Sequence, residues 1–205
     1  MPAALLRALV TLTVTVGPVE VAAMFLALSA GRPAAARRRV AVRAVGIALL
    51  VLAAFALGGA RLLAALRVGL PAFRAAGGVL LLGVARDQLF AHPSALSSIT
   101  EGEAAEAAGF ADIAAFPLAV PLIAGPGSMT AMVLLSGDTL AGAWVAIAAA
   151  ALVLGGTLVA MLASELLTRV LGRTGTNVVA RVSGVLLAAL AMQFLFDGLR
   201  GSGVF

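Results

Sequence analysis

Long apolar runs separated by arginine clusters set the pattern of this chain. A helix crossing a bilayer needs about 20 mostly apolar residues, and six runs reach roughly that length. Residues 8–31 carry one charge, Glu20, and end at Arg32. Residues 44–60 are uncharged between Arg43 and Arg61. Residues 70–91 form a weaker run, with Arg74 near the start and Arg86-Asp87 near the end. Residues 113–137 have no charge, and neither do residues 139–164, between Asp138 and Glu165. The last run covers residues 178–199, with Arg181 and Asp197 near its ends. The pattern predicts an all-α integral membrane protein with six transmembrane helices.

Residues 92–112 are the longest polar stretch, with Glu101, Glu103, Glu106 and Asp112, and read as a solvated linker with a short helix in Glu103–Gly109. They divide the chain into residues 1–91 and 113–205, and the halves echo each other. Gly17-Pro18-Val19-Glu20-Val21-Ala22-Ala23-Met24-Phe25-Leu26 aligns with Gly125-Pro126-Gly127-Ser128-Met129-Thr130-Ala131-Met132-Val133-Leu134. Arg74-Ala75-Ala76-Gly77 aligns with Arg181-Val182-Ser183-Gly184, and Leu89-Phe90 with Leu195-Phe196. Each half holds three runs. Three is odd, so the second half enters the membrane from the opposite side, which predicts two inverted three-helix repeats.

Both matched blocks open on Gly-Pro. Proline removes a backbone donor and clashes with the carbonyl four residues back. Pro117 and Pro121 weaken the fourth run further. Spans one and four are therefore expected to be broken helices. If each restarts after its Gly-Pro, two helix N-termini face each other with free N–H groups and partial positive charge, suited to a carboxylate. Gly17, Pro18, Glu20, Gly125, Pro126, Gly127, Ser128 and Thr130 are the expected substrate-binding residues, with Ser128 and Thr130 as caps, and Gln193 in span six joins them. Glu20, in register with Ser128, is the ionisable group deepest in a span. A charge there costs about 2.5–3.5 kcal/mol on insertion scales, so it is expected to hold an ammonium group or a cation, or to carry a proton. Asp87 is a second coupling candidate. Glu165 with Arg169, and Asp197 with Arg200, have the spacing of helix-end pairs.

Composition narrows the function. At 62% hydrophobic and 11% charged, the chain is far more apolar than a soluble domain. It has no Cys and one His, His92, so disulfides, thiolate or histidine metal sites and Ser-His-Asp triads are not expected, nor any cofactor or enzymatic activity. The net charge of +5 comes from arginines that flank apolar runs, which speaks for membrane anchoring and against nucleic acid. The first run is too long for a secretory signal's apolar core. With the first loop inside, Arg32, Arg37, Arg38, Arg39, Arg43, Arg86, Arg169, Arg173 and Arg181 lie inside, against Arg7, Arg61, Arg67, Arg74 and Arg200 outside. That bias predicts both termini outside and a cytoplasmic linker.

Phe116-Pro117-Leu118-Ala119-Val120-Pro121-Leu122-Ile123-Ala124-Gly125-Pro126-Gly127-Ser128-Met129-Thr130 resembles the signature of the MarC family, six-span proteins of the bacterial inner membrane. The resemblance extends to Phe73–Leu82 and Val182–Gly198 and so covers essentially the whole chain. The family is named after multiple antibiotic resistance, and some members are linked to transport of small neutral amino acids such as alanine and glycine. The resemblance thus implies an inner-membrane exporter or exchanger of small neutral amino acids. Drug or metabolite efflux and a non-transport membrane partner are the alternatives. Proton coupling, sodium coupling and homo-oligomers are all compatible with it. The first-span motif departs from the family's Asp/Asn-Pro-x-Gly pattern with a second Pro: Gly17 stands for the acid or amide, Glu20 for the Gly and Ala23 for the second Pro.

Overall fold

A computed structural model describes residues 2–29, 32–90, 113–137 and 139–203. The linker, with its expected short helix, lies outside the described residues. Eight helical segments follow in order: α1 Pro2–Val16, α2 Pro18–Leu28, α3 Ala34–Ala65, α4 Leu70–Phe90, α5 Ala114–Ile123, α6 Pro126–Ser136, α7 Leu140–Leu162 and α8 Ser164–Gly201. No strand occurs among the described residues.

The helices pack through small side chains. On α3, Ala41, Ala44, Ala48, Leu52 and Ala56 recur at helical spacing and are buried, and on α7 Ala143, Ala146, Ala149, Ala150, Val153 and Thr157 do the same. Alanine stripes let backbones approach closely, which is where dispersion gains come from when the surroundings are as apolar as the core. The large apolar side chains point the other way: Leu50, Trp144, Val159 and Val170 are exposed. An outer apolar surface on this scale is expected where lipid covers it.

Packing partners recur between the two halves. α3 packs on α5 and α6, and α7 packs on α1 and α2. α2 touches α8 as α6 touches α4. α4 and α8 form the most extensive pair, antiparallel and close. Its closeness depends on glycine. A Cβ at Gly78 would stand 2.7 Å from the Ala191 carbonyl oxygen, and one at Gly198 would stand 2.7 Å from that of Pro71. In the other direction Gly184 packs on Ala85, Gln88 and Leu89.

Among the described residues, four stretches are long and apolar enough to cross a membrane: Ala3–Leu26, Ala34–Ala65, Leu140–Leu162 and Asn177–Gly201. The bent pair of α5 and α6 makes a fifth when the two are counted together as one broken span. Six were expected. α4, the expected third span, is long enough at 21 residues, but Arg74, Arg86 and Asp87 lower its apolarity. Two pairings also differ from expectation. Glu165 pairs with Arg37 across the fold, and Arg37 also donates to Ser164 Oγ at 3.2 Å and lies over the Phe25 ring at 5.7 Å. Asp197 accepts from Gln193 Nε2 at 2.8 Å. At Glu165 a tertiary partner replaces the expected along-helix neighbour, and at Asp197 the neighbour four residues back on α8 replaces Arg200.

Candidate functional site

Both Gly-Pro sequences interrupt the helices as expected, by different means. Between α1 and α2 the interruption is a single residue, Gly17, with φ +61°. That left-handed value costs a side chain about 1–2 kcal/mol, and glycine avoids the cost. Gly17 N still donates to Thr13 O and Val21 N to Gly17 O, at 3.1 and 3.0 Å. The second interruption is broader. Phe116 (φ −130°, ψ 126°) and Val120 (φ −132°, ψ 126°) are extended, as residues before proline prefer. Gly125 is extended too, and α5 meets α6 at 59°.

The two interruptions converge on one cavity of about 60 Å³. Thr15, Val16, Glu20 and Val21 line it from the first, and Pro121, Leu122, Gly125, Pro126, Gly127 and Ser128 from the second. Leu81, Val84 and Gln88 of α4 complete it. Leu81 crosses Gly127 so closely that a Cβ there would meet Leu81 Cδ2 at 2.5 Å. The first turns of α2 and α6 are at this cavity, and their leading N–H groups have no carbonyl one turn earlier to bond.

Glu20 lies in the first turn of α2, where the helix dipole favours negative charge. Its carboxyl folds back toward Gly17, engages its own backbone N–H and is reached by the Ser183 hydroxyl of α8. Its Oε1 is buried and accepts no hydrogen bond.

The expected cap at Ser128 takes another form. Its hydroxyl donates to Ile123 O at 2.9 Å and Gly125 O at 3.1 Å. Ile123 O lies at the break, where proline and extended backbone interrupt the ladder, while Gly125 O also accepts from Met129 N at 2.9 Å. The Ser128 hydroxyl gives its proton to these carbonyls instead of accepting from the helix start. Thr130 is buried with its Cγ2 against Gly77, away from the cavity lining. Gln193 is exposed and held by Asp197, so it does not reach the cavity either. Asp87 is buried on α4, one residue from the lining Gln88. Gly17 and Pro18 do not line the cavity; they lie in the chain between the lining residues Val16 and Glu20. Sequence reasoning missed Gln88 and Ser183. Ser183 lies in the matched Arg181 block, and Gln88 directly precedes the matched Leu89-Phe90 pair.

A model of the MarC family integral membrane protein matches residues 3–202. The chain belongs to the MarC family. A UPF0056 membrane protein of Methanocaldococcus jannaschii is 36% identical over 181 residues, 87% of each chain. The Bacillus subtilis UPF0056 membrane protein YvbG is 33% identical, over 90% of this chain and 88% of its own. The Escherichia coli UPF0056 inner membrane protein YhgN is 34% identical over 80% of each. MarC relatives thus occur in archaea as well as bacteria. No solved structure matches this chain. The MarC chain described here is a multi-pass integral membrane protein.

Proposed function

We propose that this MarC protein is a secondary transporter, an exporter or exchanger of small neutral amino acids, working by alternating access around the cavity at the two interruptions. One observation carries the reading: two separate broken segments, far apart in sequence, converge with their helix starts on a single small polar cavity. Discontinuous helices meeting at a central site are the pattern of secondary transporters. Main-chain donors at the helix starts suit a carboxylate, and Glu20 suits an ammonium group.

Reciprocal packing supports two inverted repeats, residues 1–91 and 113–205, with α4 as a third span. If each element of one half is exchanged for its counterpart, the pairs α3 on α5–α6 and α7 on α1–α2 interchange, and α4–α8 maps on itself. In this reading the protein lies in the inner, or plasma, membrane. Residues 92–112 face the cytoplasm and both termini lie outside. Proton or sodium coupling through Glu20 fits the same scheme.

Size argues against drug efflux. Drug-sized ligands occupy sites of about 300–1,000 Å³, well above the 60 Å³ here. Counterflow of labelled alanine in proteoliposomes, beside a panel of dyes, tests the proposal. Transient accumulation of alanine without dye movement is expected. Dye movement without alanine would make it an efflux protein, and movement of neither would leave a non-transport role.

A further inference from the structure

The polar side chains around the cavity present mainly acceptors. Thr15, Glu20, Gln88 and Ser128 are the four that line it. The Thr15 hydroxyl proton points at Leu12 O, 3.3 Å away. The Ser128 proton is committed to Ile123 O and Gly125 O. A hydroxyl has one proton to give, so both present only lone pairs to a solute. Glu20 Oε1 and Gln88 Oε1 are buried and accept nothing. Such acceptors are satisfied in nearly every buried site, and a buried carboxylate in particular needs a partner of opposite charge. Apart from the Gln88 amide nitrogen, the side-chain wall therefore offers acceptors, and it holds no positive charge.

We propose that Glu20 and Gln88 form an ammonium subsite, in which the primary ammonium group of a small zwitterion donates to Glu20 Oε1 and Gln88 Oε1. The proposal rests on the transport reading and adds to it the residues that recognise one end of the solute. An ammonium group offers three donors and no acceptor, which complements this wall. The carboxylate end is left to the main-chain donors of α6. One turn of α8 positions both acceptors. Ser183 reaches the Glu20 carboxyl, and Gly184 is so near Gln88 that a Cβ would stand 3.1 Å from the Gln88 Cβ. Gln88 comes from the long antiparallel α4–α8 contact, so the subsite belongs to three elements, α2, α4 and α8.

Equilibrium binding of labelled methylammonium to the purified full-length protein in nanodiscs tests the subsite without requiring transport. Saturable binding is expected, displaced by alanine and not by propionate, which lacks the ammonium, or tetramethylammonium, which lacks N–H donors. Glu20→Gln and Gln88→Leu should each weaken it at least tenfold, and Gln88→Glu should tighten it. Glu20→Gln preserves shape, and size-exclusion profiles identify any variant that fails to fold, leaving the other two to decide. No saturable binding to the wild type would overturn the subsite. So would unchanged affinity in both weakening variants, or sodium binding that depends on Glu20 while methylammonium does not bind. Alanine counterflow accompanied by any of these results would retain transport and remove the subsite. Glu20-dependent methylammonium binding without alanine counterflow would do the reverse.

Discussion

The two interruptions carry the same Gly-Pro dipeptide, yet the chain passes through them differently. At the first, one left-handed glycine separates α1 from α2, and Ala3–Leu26 still reads as one span. At the second, three prolines within ten positions, Pro117, Pro121 and Pro126, hold the backbone extended twice before α6 restarts at 59°. The dipeptide marks where the hydrogen-bond ladder fails. The residues before it decide how much backbone is freed. Chemistry at the matched register differs too. Ser128 gives its proton back to carbonyls at the break, Ile123 O and Gly125 O. Glu20 has no proton to give when ionised, and its Oε1 stays open. One half of the site thus returns its proton to its own break, and the other leaves a buried acceptor unpaired.

The largest effect is expected from Gly125→Ala. Its φ of −84° suits alanine, but the new Cβ would stand 2.6 Å from the Pro121 carbonyl oxygen. Main chain cannot step aside cheaply, and overpacking of this kind costs about 1–3 kcal/mol. A fall in melting temperature in detergent should reveal it.

Gly17→Ala should cost about 1–2 kcal/mol for the left-handed conformation, and it pushes on Glu20 Oε2, 2.7 Å from the new Cβ. Gly17→Asn should recover part of the stability, because asparagine tolerates that region. Equal melting of the Ala and Asn variants would mean that the carboxylate contact, rather than φ, dominates at the first break.

Ser128→Ala should cost about 1 kcal/mol, the net worth of one buried hydrogen bond, with no counterpart at Glu20→Gln, which removes no donor to a carbonyl. Thermal melts of the two variants side by side would check this. The smallest effect belongs to Glu165→Gln. Its ion pair with Arg37 has a largely exposed carboxylate, and exposed pairs contribute about 0–1 kcal/mol. A stability loss above that range would mean that Arg37, seated over Phe25, couples the end of α2 to α8.

Much of this was legible in the chain because it follows from local rules. Apolar runs locate helices, and Gly-Pro locates the failures of hydrogen bonding. The matched blocks pointed to Gly17–Glu20 and Gly125–Ser128 as partners; Glu20 and residues 125–128 line one cavity, and Gly17 and Pro18 do not. What was not legible depends on tertiary register. Gln88 and Leu81 enter the cavity only because the glycines of α4 and α8 allow those helices to close. Gln193 looked like a cavity residue by its place in an apolar run, but the rotation of α8 points it outward to Asp197. Ser128 was expected to cap a helix, and the geometry of the preceding prolines turned its hydroxyl the other way. Spacing along one helix gave Glu165 to Arg169, whereas the fold brings Arg37 to it.

The central claim is that two dissimilar breaks build one solute site, and filling that site tests it most directly. Gly127 lies on the cavity wall facing Leu81, so Gly127→Val places side-chain bulk where the solute would sit. Alanine counterflow should be measured in proteoliposomes containing equal amounts of wild type and Gly127→Val, each checked for a single size-exclusion peak. The account predicts a transient overshoot of labelled alanine for the wild type and at least a tenfold lower rate for the variant. An overshoot of the same rate and height in both would contradict it.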